Sequence, residues 1–167
     1  MSEKNSEEGK ENAENLTDEI GRKIADAFDV FDHDSNKTVD VREIPNIIRS
    51  LGCCPSEAEM QDIILEIDED DSNGYIRYEK FRPIMTKILM ERKYRPATED
   101  RILKAFQVLD TDNKAYLTQD ELKEYMTKEG DAFNQDEMDE MLSAAVDPEK
   151  GYILYKEYAA LMTVEDT

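Results

Sequence analysis

Basic side chains, histidine, cysteine and long apolar runs are all scarce in this chain. Its 167 residues carry 21 Lys and Arg against 41 Asp and Glu, a formal net charge of −20. That excess repels nucleic acid and anionic membrane, and it favours bound cations or basic partners. The longest apolar runs, such as Ile63-Ile64-Leu65 and Ala159-Ala160-Leu161-Met162, fall far short of the roughly 20 residues that span a bilayer. The charged first 15 residues hold no apolar segment of the kind a signal peptide needs, so a cytoplasmic location is expected. The only cysteines are the adjacent pair Cys53 and Cys54, too few for a disulfide framework and without the spaced partners of a zinc site. The single histidine, His33, has no nucleophile beside it, and no glycine-rich loop exists to cradle phosphate. An enzyme is not expected.

With 39% hydrophobic residues the chain nonetheless holds enough apolar surface for one ordinary domain or two small lobes. Residues 1–16 are rich in Glu, Lys, Asn and Ser, and the expectation is a disordered acidic tail, since burial offers little to offset ordering. From Thr17, read as a helix cap, Ile20, Ile24, Phe28 and Phe31 recur at three- and four-residue steps and predict an amphipathic helix. An acidic turn and a second amphipathic helix follow, and this unit recurs with turns opening at Asp32, Asp68, Asp110 and Asp147. Ser56 with Glu59, Asn134 with Glu137, and Thr98 mark further helix starts. The wider middle interval contains a polar stretch ending at Pro96. The expected domains are therefore a lobe at 17–90, a linker at 91–97, a second lobe at 98–162, and a tail at 163–167. Residues 77–104 hold nine basic and four acidic side chains, which makes either a solvated face or a contact surface for an acidic partner.

The turns follow the EF-hand pattern. Ca²⁺ takes six to eight hard oxygens, and a 12-residue loop supplies them from positions 1, 3, 5, 7, 9 and 12, with glycine at the sharp turn of position 6. Val39, Ile76, Leu117 and Ile153 fill position 8, where paired loops form short β-bridges. The predicted fold is all-α: two calmodulin-like lobes of four helix-loop-helix units. In the first loop the candidate ligands are Asp32, Asp34, Asn36, the Thr38 carbonyl, Asp40 and Glu43, but Lys37 stands at the glycine position. That position demands a left-handed backbone, which costs a residue with a side chain roughly 1–2 kcal/mol. The site is read as weak or absent, with no calcium expected in the other loops. The second loop carries one inserted residue and Lys80 at position 12; the third has Lys114 at position 5 and Ala115 at position 6. The fourth is read as one residue short, with Pro148, Glu149 and Lys150 unable to replace the ligands. Paired hands of this kind present grooves to partner helices, and Met60, Met85, Met90, Met126, Met138, Met141 and Met162 either line those grooves or fill the core.

Four stretches carry a narrower likeness: FDHDSNKTVDVREI, IIRSLGCCPSEAEM, GYIRYEKFRPIMTKILMERKYRPATED and EMLSAAVDPEKG. From Thr17 to Met162 the chain resembles the EF-hand calcium-binding domain-containing protein 2 family, also called dynein regulatory complex protein 8. The resemblance implies a subunit of the nexin–dynein regulatory complex, which links outer doublet microtubules in the axoneme of cilia and flagella and regulates their sliding. Its partners would be helical or coiled-coil subunits of that complex, within the cytoskeleton. It also implies family-type ligands in the first loop alone. A calcium-responsive calmodulin-like adaptor or a light-chain-like clamp is the alternative on the same groove physics.

Overall fold

The computed structural model describes residues 2–68 and 73–163, with side chains from Gly9 onward. Residues 69–72, the start of the second loop, lie outside the described residues, as do residues 164–167 of the expected C-terminal tail. The chain forms two compact units, Met1–Arg95 and Pro96–Thr167.

In the first unit, helix α1 spans Ser2–Phe31, strand β1 Thr38–Asp40, α2 Ile44–Ser50, α3 Glu57–Ile67, β2 Tyr75–Arg77 and α4 Tyr78–Met90, with a short 3₁₀ turn at Val41–Glu43 before α2. The apolar stripe of α1 (Ile20, Ile24, Phe28) packs on α4 and joins Ile44, Ile47, Ile48, Met60, Ile63, Phe81 and Met85 in one core. Phe28 sits at its centre, 5.1 Å from the Tyr78 ring and 5.5 Å from the Phe81 ring. Tyr94, in the segment read as linker, also packs against this core, and its carbonyl accepts the Cys54 N–H at 2.6 Å.

The disordered tail is not what the structure shows. Helix α1 begins at Ser2, and Thr17 is not a cap but an interior residue whose hydroxyl donates to the Ala13 carbonyl at 2.8 Å. Residues 9–19 are exposed, so burial does not order them. Nucleating a helix is costly and extending one is cheap, and the packed turns from Ile20 onward supply the nucleus for a Glu-, Lys- and Ala-containing extension.

The second unit repeats the plan with α5 Glu99–Leu109, α6 Gln119–Lys128, α7 Gln135–Ala145 and α8 Tyr155–Met162. Phe106, Leu117, Leu122, Met138, Ile153 and Tyr155 form its core, with α5 packed on α8. Phe106 stacks on Tyr155 at 5.7 Å and meets Tyr158 at 6.1 Å. Met60, Met85 and Met138 are buried, so these three of the seven methionines fill core; Met90 and Met162 are exposed.

The helix starts follow local chemistry. Ser56/Glu59, Thr118/Glu121 and Asn134/Glu137 form reciprocal capping boxes, and the Thr98 hydroxyl accepts from the Arg101 N–H. Among the described residues no helix is long and apolar enough to cross a membrane.

Because Phe28 joins α1 to the first turn of α4 through Tyr78 and Phe81, Phe28→Ala should destabilise the first unit by about 3–5 kcal/mol. Val30→Ala, two residues on and at an exposed position of the same helix, should change stability by less than about 0.5 kcal/mol. Urea denaturation followed by circular dichroism checks both.

Candidate functional site

In each unit two loops are joined through backbone bonds. Val39 pairs with Ile76 in a three-residue antiparallel ladder, with Thr38 opposite Arg77 and Asp40 opposite Tyr75. In the second unit Leu117 and Ile153 exchange two bonds, at 3.0 and 2.8 Å, and the flanking Tyr116 and Tyr152 rings stack at 4.1 Å. Position 8 of every loop thus lies buried at the junction.

Within the first loop, Asp32 is buried and anchors the turn: one carboxylate oxygen accepts the Asn36 N–H at 3.1 Å and the other the Lys37 N–H at 2.8 Å. Lys37 takes a left-handed backbone, φ +62°, as position 6 demands. Its ammonium turns away from the ligand positions to Asp29 on α1, at 2.7 Å, and this hydrogen bond raises the lysine pKa. The Asn36 side-chain oxygen accepts from the Thr38 N–H and hydroxyl at 3.0 and 2.6 Å. Asp40 caps the 3₁₀ turn through the Arg42 N–H and also binds the Arg42 guanidinium at 2.7 Å, which lowers its carboxyl pKa to about 2. Glu43 accepts from the Asn46 amide at 3.1 Å. A depression of about 200 Å³ lies on the α1 side of the loop, lined by Asp29, Asp32, Ser35 and Lys37.

The candidate ligands therefore share one loop but do not converge; among the described residues no three His, Cys, Asp or Glu side chains gather around one point. As a donor set, Asp32, Asp34, Asn36, the Thr38 carbonyl, Asp40 and Glu43 fit a hard cation, and the Lys37 ammonium is directed elsewhere. Asp40 is the ligand most committed to another partner.

The second loop keeps its downstream half in register. Gly74 is left-handed at φ +85°, and Ile76 sits in the ladder. Helix α3 ends with the Asp68 N–H bonded to the Ile64 carbonyl, as the Asp32 N–H is to Phe28. Four residues separate Asp32 from Lys37 but five separate Asp68 from Gly74, so the inserted residue lies between Asp68 and Gly74.

In the third loop the carboxylates at positions 1 and 12 are already engaged. Asp110, 1% exposed, accepts from the Lys114 N–H at 3.2 Å on one oxygen, and from the Ala115 N–H and Tyr155 hydroxyl, both at 2.8 Å, on the other. Burial pushes its carboxyl pKa up, but these bonds outweigh it and the net shift is downward. Glu121 accepts the Lys114 ammonium at 2.7 Å on one oxygen and the Thr118 N–H at 2.9 Å on the other. Ala115 stands left-handed at φ +66°. This loop does not fit a metal ion as it stands.

The fourth loop corrects a sequence expectation. It is of full length, because α7 ends at Ala145 and the Val146 N–H closes that helix on Leu142, as Asp110 closes α5 on Phe106. Val146 therefore holds position 1, and left-handed Gly151 (φ +74°) falls at position 6. Asp147, one place late, closes a turn on the Glu149 and Lys150 N–H groups, both at 2.9 Å. The Tyr155–Asp110 bond, reaching from the fourth hand to the third, was missed from sequence; the available signal was a tyrosine at position 10 facing an aspartate at position 1 of the partner loop.

An EF-hand domain pair model matches residues 22–86 and again 99–163. Dynein regulatory complex protein 8 of Mus musculus is 58% identical over 156 residues, 93% of this chain and 95% of the mouse protein. The Homo sapiens protein of the same name is 61% identical over 111 residues, 66% of this chain and 41% of its own length. Among solved structures, Mlc1p bound to IQ2 of Myo2p, a class V myosin, superposes with a TM-score of 0.68 at 22% identity, covering 84% of this chain and 96% of that one.

The Arg42 guanidinium holds Asp40 ionised to low pH, so the stabilisation from this pair is complete above the ordinary aspartate pKa and fades as pH falls through about 2. NMR titration of the Asp40 carboxyl should give a midpoint near that value, and Arg42→Ala should return it toward the ordinary range.

Proposed function

The chain belongs to the dynein regulatory complex protein 8 family of paired EF-hand proteins, and from that premise we propose that it is a non-catalytic subunit of the nexin–dynein regulatory complex in the axoneme of motile cilia and flagella. In this role its lobes hold helices of larger, coiled-coil subunits beside the doublet microtubules and help regulate dynein-driven sliding. One observation carries the reading. Both loop pairs remain zipped over packed cores although the second and fourth loops lack ligand sets, so the scaffold holds its shape without a full load of ions. A subunit built into a mechanical link needs that constancy more than reversible loading.

The basic segment suits an acidic stretch of a partner subunit. Arg92, Lys93 and Arg95 are exposed in and just after the turn that follows α4, and Lys93 is paired at 3.0 Å with Glu91. Charge reversal at these three positions weakens incorporation into the complex under this reading; unaltered incorporation returns the segment to a solvated face.

A second reading, a calcium-responsive adaptor, is favoured by the first loop alone, where the donor set is complete and the Lys37 ammonium is turned to Asp29. Calcium would be held by Asp32, Asp34, Asn36, the Thr38 carbonyl, Asp40 and Glu43, and would supply a divalent charge that draws these oxygens together.

Affinity capture of the chain from a ciliated-cell extract, run with calcium and with chelator, separates the two. The expected outcome is the same axonemal partners in both arms, and the same set for Glu43→Gln. Partners retained only with calcium and lost in Glu43→Gln make the first loop a switch, and absence of axonemal partners in both arms overturns the proposal.

A further inference from the structure

The third loop contains its own cation. Lys114 stands at position 5, where a calcium loop places an oxygen, and its side chain is only 21% exposed because it folds inward across the loop. The ammonium lies 2.7 Å from Glu121 Oε1 and 3.9 Å from Asp110 Oδ1, and so between the carboxylates of positions 12 and 1. Those are the two groups at opposite ends of the loop that a calcium ion draws together. Hydrogen bonding to Glu121 raises the pKa of Lys114 and lowers that of the glutamate, so both stay charged across the physiological range.

The remaining valences of those carboxylates are also met. Asp110 has loop N–H donors on both oxygens and the Tyr155 hydroxyl on one of them, and the second oxygen of Glu121 holds the N–H of its own helix cap. No buried side-chain nitrogen or oxygen among the described residues lacks a partner. The contrast with the first loop is instructive: there the lysine is one position later, at Lys37, and its ammonium points out of the loop to Asp29. The same side chain thus closes one loop and leaves the other's ligand positions clear.

From this geometry we infer that Lys114 is a tethered replacement for the metal ion. It fixes the third loop in its closed, charge-balanced form and makes the Pro96–Thr167 unit indifferent to calcium, whichever partner the chain serves. The Asp110–Tyr155 bond transmits that fixed state to the fourth hand, because Tyr155 begins α8 and stacks on Phe106. Any calcium response is then confined to the first unit.

The test uses the full chain carrying Glu43→Gln, which removes the first-loop glutamate. Calorimetric titration should show no saturable calcium binding up to millimolar concentrations, and the Lys114 and Ala115 amide NMR signals should stay in place between chelator and calcium. Adding Lys114→Asp with Ala115→Gly should create one site, and the amide signals at positions 114 and 115 of that variant should then shift between chelator and calcium. Lys114→Met, which keeps the length and loses the charge, should lower the melting temperature of the second unit by several degrees without recovery in calcium. One equivalent of calcium bound by the Glu43→Gln chain and lost on adding Glu121→Gln would show that an ion displaces the ammonium, and the inference falls. It falls equally if Lys114→Met leaves the melting temperature unchanged. The titration of the Glu43→Gln chain decides the matter even where a loop variant fails to fold.

Discussion

The backbone pairing between the two loops of each unit is the constraint on which the rest depends. A helix-loop-helix cannot bury its apolar face alone, and the Val39–Ile76 and Leu117–Ile153 bridges bring two such faces together. Because these bonds use main-chain groups, they survive the loss of side-chain ligands. Each unit therefore tolerates wide change in its loop chemistry provided position 8 stays apolar and the glycine position can turn left-handed. Lys37 and Ala115 meet the second condition at an energetic cost, Gly74 and Gly151 at almost none.

Position 9 shows how one residue serves two purposes. It is the N-cap of the helical segment leaving each loop: Asp40, Arg77, Thr118 and Leu154. Only Asp40 and Thr118 cap with a side chain, and these belong to the first and third loops, which keep carboxylates at both position 1 and position 12. In the first loop the capping role competes with ligation, since the oxygens of Asp40 that would face an ion are held by Arg42. In the third, Glu121 is at once the final loop carboxylate and the return half of a capping box. Local helix chemistry and ion chemistry are written on the same side chains.

Most of the architecture was legible because it is periodic. The stripe Ile20, Ile24, Phe28, the position-8 aliphatics and the capping pairs all obey rules of spacing, and each lies where those rules put it. The misreadings arose where a local signal competed with a neighbour. The polar run before Leu16 lacks burial, yet it extends a helix that Ile20 and Ile24 have already paid to start. Asp147 looks like the opening of a loop, but the helix before it closes on Val146, the position that counting back from Ile153 also gives, and the backbone bond to Leu142 decides between the two. The direction taken by each lysine was equally hidden: composition shows a cation in both loops, and whether it folds inward to Glu121 or outward to Asp29 follows from a one-residue offset along a left-handed turn.

The extra residue between Asp68 and Gly74 shows where length can vary. Upstream of the left-handed residue the chain only has to arrive; downstream it must match a partner strand atom by atom. The insertion therefore leaves the Val39–Ile76 alignment and the start of α4 unshifted. A hand is thus indexed from its exit: a residue added before the left-handed turn leaves the seam between the two loops intact, whereas one added after it would shift every bond of that seam.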